Sequence, residues 1–150
     1  MEEAKQKLFD YCVSYVTQRI NNANEAIRAA QESANEESKN SSGDKYETGR
    51  AMMQINVEQN LTQLGEAMRL KSILEKINKT LKSDTIQNGS LVVTDQEKYF
   101  IAVSIGQVKI DDESFFVISA ESPVGMKMIG LRAGQSFSFA NRSQRIDEVH

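Results

Sequence analysis

From Ala4 to about Lys39 the chain contains no Gly or Pro, and its apolar and small residues return at Leu8, Cys12, Tyr15, Ile20, Ala23, Ile27, Ala30 and Ala34. Steps of three and four, with one of five, hold those side chains on one face of an α-helix; a strand would need strict alternation. A helix this long cannot wrap around a small core, so its apolar seam requires a partner of similar length. The next segment supplies one. Beyond the interruption Ser41-Ser42-Gly43, apolar residues recur at Met53, Val57, Leu61, Leu64, Met68, Leu74, Ile77 and Leu81, irregular only around Lys71. Two such helices joined by a short turn predict an antiparallel helical hairpin, roughly 50 Å long for about 35 residues per helix. Ala30 and Ala34 keep the turn end thin. Leu8, Tyr11, Tyr15, Leu74 and Leu81 thicken the base, so the pattern predicts a slender projection.

The pattern changes at Lys82-Ser83-Asp84-Thr85-Ile86-Gln87-Asn88-Gly89, a polar connector ending in an Asn-Gly turn signal. Short runs rich in Val, Ile and Phe follow: Ser90 to Thr94, Lys98 to Ile105, Phe115 to Ser119, Ser136 to Ala140, and a stretch around Arg145 to Val149. Bounded by Gly, Asp and Asn, they read as strands of an antiparallel sheet. Pro123 to Gly130 fits one short helix, with Pro at the entry and Gly at the exit. The expected organisation is α+β: a helical hairpin over residues 1–83, its tip near 40–47, then a small sheet domain over residues 84–150.

Charge separates the two parts. Residues 1–83 hold 12 basic and 12 acidic side chains and residues 84–150 hold 6 and 9, so the net charge of -3 belongs to the second part. That balance does not suggest a sequence-independent grip on nucleic acid. The single cysteine, Cys12, excludes an internal disulfide and a Cys-rich zinc site, and it lies on an apolar helix face where a buried, inert thiol is expected. The single histidine, His150, is the last residue, which leaves no internal Ser-His or Cys-His pair for nucleophilic catalysis. The N-terminus lacks the basic start and apolar run of a secretory signal, and no stretch approaches 18 uncharged apolar residues. A soluble, cytoplasmic protein is expected.

The turn between the helices carries the densest local chemistry. In Gly43-Asp44-Lys45-Tyr46-Glu47, Gly43 can end the first helix in a left-handed conformation. Asp44 and Glu47 have the spacing of a capping box, with Asp44 accepting a first-turn amide and Glu47 reaching back to the N-cap. Both carboxylates also sit at the positive end of the second helix. The same spacing puts several oxygens on one face, where they could serve a hard cation such as Mg2+ as an incomplete ligand set. Glu36 and Glu37 read as solvated, Arg50 as an ion-pairing surface residue, and Met52 and Met53 as seam filler.

Together these features resemble the Gre transcript cleavage and elongation factors of bacterial RNA polymerase. The resemblance rests on a long N-terminal hairpin whose tip reads Gly43-Asp44-x-x-Glu47, on Asn88-Gly89-Ser90-Leu91-Val92-Val93, and on Ser122-Pro123-Val124-Gly125-Met126-Lys127-Met128-Ile129-Gly130-Leu131-Arg132-Ala133-Gly134. It implies an FKBP-like second domain that docks on the polymerase and a hairpin that enters the secondary channel. It further implies that Asp44 and Glu47 help to hold an Mg2+ shared with the polymerase, so that the enzyme's own centre hydrolyses the RNA of a backtracked complex. The protein itself would then be an accessory factor, not an enzyme. It would hold no metal stably alone, meet the RNA 3′ end only through the polymerase, and act as a monomer with no membrane contact. Lys45, Tyr46 and Arg50 at the tip and Ser122, Pro123 and Gly125 in the second domain are the expected partner-binding residues. Two other readings stay open: a channel-occupying regulator of initiation or pausing without cleavage, and an FKBP-like proline isomerase or chaperone.

Overall fold

The computed structural model describes residues 1–39, 44–78 and 82–150, with the side chains of 34, 37–39 and 44–48 outside that description. The elements follow the order α1 (Glu2–Lys39), α2 (Asp44–Glu75), β1 (Leu91–Thr94), β2 (Lys98–Ile101), β3 (Gly106–Ile110), β4 (Glu113–Ile118), α3 (Pro123–Met128), β5 (Ser136–Phe139) and β6 (Arg142–Val149). They form two compact units, one of Ser14–Lys71 and one of Met1–Val13 with Ser72–His150.

The Ser14–Lys71 unit consists of two helices. A side-chain bond from Arg19 Nη2 on α1 to Gln63 Oε1 on α2, at 3.4 Å, links residues equally far from the intervening turn, as antiparallel packing requires. On α1 Val16 is buried one residue beyond the expected Tyr15, which is half-buried, and Ala23 and Ala30 are buried on the expected path. These small side chains let two helix backbones approach closely. Solvent-facing charges pair along each helix, Arg28 with Glu25 and Glu32, and Arg69 with Glu66.

On α2 the seam departs from expectation. Leu61 and Met68 are 51% and 47% exposed, while Asn60 and Leu64 are half-buried and Ala67 and Leu70 are buried. The seam therefore steps through 57, 60, 64, 67 and 70, which removes the irregularity around Lys71. Selecting the largest apolar side chain at each turn moves the expected path one residue off; continuity of the three-and-four step is what the packing obeys.

The other unit begins with the first turns of α1 and ends with the sheet. Leu8, Phe9, Cys12, Leu74 and Ile77 are buried there. Tyr11, expected at the thick base, is 44% exposed because it falls outside the 8, 12, 16 stripe. The six strands run in the order β3-β4-β2-β1-β6-β5. The expected sheet is antiparallel; four of the observed strand pairs are, while β2 and β4 pair in parallel through Tyr99 with Phe116 and Ile101 with Ile118, so the sheet is mixed. The physical cause is β3. It returns the chain at the sheet edge and lets β4 slot beside β2, closed by a tight turn in which Asp111 and Asp112 have φ of 49° and 66°.

One face of the sheet forms a core of Ile86, Val92, Tyr99, Ile101, Phe137 and Ile146 with Met128 of α3. Residues that alternate with these, Leu91, Phe100, Phe115 and Val117, are buried as well, so both faces are covered. Within the first core, Thr94 and Gln144 are buried polar residues that satisfy each other. Thr94 Oγ1 lies 2.8 Å from Gln144 Oε1, and the Tyr99 hydroxyl lies 3.0 Å from Gln144 Nε2.

Candidate functional site: the start of the second long helix and the Ser122 turn

Asp44 opens α2, so Asp44, Lys45, Tyr46 and Glu47 occupy its first turn. A helix turns 3.6 residues per revolution, which brings positions 44 and 47 to one face at the end where backbone amides point outward. The side chains of these four residues lie outside the described set, and so do the expected capping bonds. Arg50 follows in the next turn, exposed and engaged in an interaction of its own. Glu36, near the end of α1, is exposed as expected. Among the described residues no group of three or more His, Cys, Asp or Glu side chains is arranged to hold a metal ion.

The second cluster of expected site residues is fully described, and each has a structural task. Ser122 is the N-cap of α3, with extended backbone at φ -65° and ψ 156°. Its Oγ accepts from the Gly125 amide at 3.1 Å and donates to the Ser119 carbonyl at 2.7 Å. Pro123 fills the first helical position, where its missing amide costs nothing. Gly125 is buried beneath the Ser119 carbonyl, so closely that a Cβ would sit 2.1 Å from that oxygen. Gly130 and Gly134 have φ of 86° and 93°, a region open to Gly at no steric cost. Their amides reach the carbonyls of Ile86 and Ile146 at 3.0 and 2.7 Å. Gln135 turns back to accept from the Arg132 amide at 2.8 Å.

The motif from Ser122 to Gly134 thus builds the turn, the short helix and the return to β5. Of the three residues singled out there, Pro123 is exposed, Ser122 half-buried and Gly125 buried. Beside Pro123 the surface carries an apolar pair outside the expected site residues: Met126 is 65% exposed and Ile129 is exposed too, while Met128 between them points into the core. Their three-residue spacing around a buried Met was the available signal. At the chain's beginning, Lys5 is a second residue outside the expected site. The row Met1-Glu2-Glu3-Ala4-Lys5 reads as an ordinary helix start, yet Lys5 is half-buried.

No family model and no curated protein matches the sequence. Among solved structures, the crystal structure of the GreA factor homolog 1 (Gfh1) protein of Thermus thermophilus is similar at 19% identity and a TM-score of 0.37, over 91% of this chain and 93% of that one. A second structure, described as the transcription factor Gfh1, is similar at 18% identity and a TM-score of 0.35, over 91% of this chain and 92% of the other. A likeness at this level assigns neither family nor activity to the chain. No helix among the described residues is long and apolar enough to cross a membrane.

Proposed function

We propose that this protein is a Gre-like transcription factor that binds RNA polymerase and stimulates cleavage of RNA in backtracked complexes through Asp44 and Glu47. The observation that carries this reading is the coincidence of two features in one chain. An acidic pair opens the second of two long paired helices, and in the Ser122 to Gly134 motif that carries the sequence resemblance Ser122, Pro123, Gly125, Gly130 and Gly134 each meet a specific backbone requirement of a small α+β unit.

The acid pair fits a role as an incomplete hard-cation site. Positions 44 and 47 share one helix face in the first turn of α2, and carboxylate oxygens are the donors that Mg2+ prefers. Two carboxylates leave most of the coordination sphere open, so the remaining ligands would come from the polymerase. A cation shared in this way stabilises an attacking water and the developing charge of an in-line displacement. The contribution of this chain is to deliver and orient the two carboxylates. A rigid pair of helices serves that purpose, because each residue added extends a helix by a fixed rise of about 1.5 Å.

Lys45 and Tyr46 lie between the two acids in the sequence and Arg50 follows them. They favour a second reading in which the tip occupies the channel and alters pausing or initiation, since a tip carrying two cations and an aromatic ring can bind without delivering a cation. The two readings separate in one experiment. Under the first, Asp44→Asn with Glu47→Gln retains polymerase binding and loses stimulated RNA cleavage. An effect on pausing or initiation that persists unchanged in the double variant, without cleavage by the wild type, selects the second. Failure of the wild-type chain to co-elute with polymerase overturns both. Turnover in a prolyl isomerisation assay would support the isomerase reading, which the absence of Trp in the chain weighs against.

A further inference from the structure

A cavity of about 550 Å3 opens within the unit that contains the sheet. Its apolar wall is made by Phe9 of α1, Ile77, Phe100 of β2 and Val149 of β6. That volume lies in the range of small-molecule sites, which combine apolar walls with a few placed polar groups. Lys5 is the half-buried charge on this wall.

The charges around the cavity are not equivalent. Glu2 and Lys82 pair with each other at 3.0 Å, both largely in solvent. Asp84 is exposed at the rim, and the ring of His150 lies 3.1 Å from Glu148. Lys5 alone among these lining charges combines partial burial with no ion pair within 4 Å among the described residues. Loss of solvent pushes its ammonium pKa down, and the field of Glu2 opposes this only in part. A cation that has lost water without gaining a partner gains most from an incoming anion.

We propose that this cavity is a binding site for a small organic monoanion, an aryl or branched-alkyl carboxylate. Its carboxylate pairs with Lys5, and its apolar body lies against Phe9, Ile77, Phe100 and Val149. The site is separate from the proposed action on polymerase, because its described lining residues all belong to the Met1–Val13 and Ser72–His150 unit, whereas Asp44 and Glu47 open α2. A dication or a purely polar anion is disfavoured, the first by Lys5 and the second by the apolar wall.

The test uses the full chain and two probes of the same shape, 4-phenylbutyrate and the neutral 4-phenyl-1-butanol, titrated while backbone amide shifts are followed by NMR. The expected result is a saturable shift at the amides of Phe9, Gly89 and Phe100, with the acid binding about tenfold more tightly than the alcohol, the ratio that one charge-assisted contact supplies. Lys5→Met should bring the acid to the affinity of the alcohol and leave the alcohol unchanged, while Lys5→Arg should keep a preference for the acid. The proposal is overturned if the wild type shows no saturable shift, if acid and alcohol bind alike, or if Lys5→Met leaves the acid's affinity unaltered. The comparison of acid with alcohol on the wild type decides the matter even if a variant fails to fold.

Discussion

Gly125 packs so tightly under Ser119 that a Cβ added to it would come within 2.1 Å of the Ser119 carbonyl oxygen and 2.8 Å of Ser122 Oγ. The carbonyl belongs to the backbone and cannot rotate away, and the Ser122 side chain is already bonded on both sides. Gly125→Ala should therefore destabilise the protein by about 3 kcal/mol, at the upper end of overpacking costs, with the loss read from chemical denaturation. Ser122→Ala removes the cap and should cost about 1 kcal/mol. Equal effects of the two substitutions would mean that the close approach is not what fixes this turn.

The buried contact between Tyr99 and Gln144 makes a prediction that separates lost bonding from lost packing. Gln144→Leu leaves the Tyr99 hydroxyl without its partner inside the core, at a cost of about 2 kcal/mol. Thr94 keeps a bond to the Glu97 carbonyl at 3.0 Å and is spared. Adding Tyr99→Phe removes the stranded hydroxyl, so the double variant should be more stable than Gln144→Leu alone. A double variant whose stability equals the sum of two separate losses would contradict this account.

Cys12 is buried, and that burial pushes its thiol from an ordinary value near 9.0 up to about 12. In the unfolded chain the thiol ionises first, so its contribution to stability is complete below pH 9 and is lost as pH rises toward 12. The native protein should accordingly react slowly with a thiol reagent at pH 8, and denaturant should release a fast reaction. Equal rates in the two conditions would show the thiol to be accessible.

At the β5–β6 turn, Ala140 and Asn141 have φ of 54° and 63°. Asn tolerates this left-handed region, whereas Ala meets its own Cβ penalty there. Ala140→Gly should raise stability by about 0.5 kcal/mol after the extra unfolded-state entropy of Gly is counted. A thermal scan showing a lower midpoint would contradict the assigned turn.

These particulars show which parts of the fold the chain declares openly. The first helix is legible because a three-and-four pattern with a single step of five and no Gly or Pro has one structural solution. The second seam was misplaced at Leu61 and Met68 because a long surface helix carries apolar residues it does not bury, while small Ala67 does the packing. Strand β3 was missed since Gly106-Gln107-Val108-Lys109-Ile110 buries only Val108, as an edge strand can. The run Lys98 to Ile105 reads as one strand in the sequence, yet the ladder ends at Ile101 and Ala102 and Val103 are buried beyond it. Parallel pairing of β2 with β4 depends on which strands become neighbours, and side-chain periodicity does not encode that. At the candidate site, Pro123 to Gly130 is legible as a short helix entered at Pro and left at Gly, and Gly125, Gly130 and Gly134 are backbone requirements there. The cavity at Lys5 was not, because it is formed by residues far apart in the chain.

The central claim concerns Asp44 and Glu47, and release of a short 3′ RNA fragment from a stalled, backtracked RNA polymerase tests it most directly. With factor binding to polymerase verified in the same reaction, the wild-type chain should accelerate fragment release in an Mg2+-dependent manner, and Asp44→Asn with Glu47→Gln should return it to the rate of polymerase alone. Bound wild-type protein that releases no fragment, or a bound double variant that accelerates release as well as the wild type, would contradict the claim.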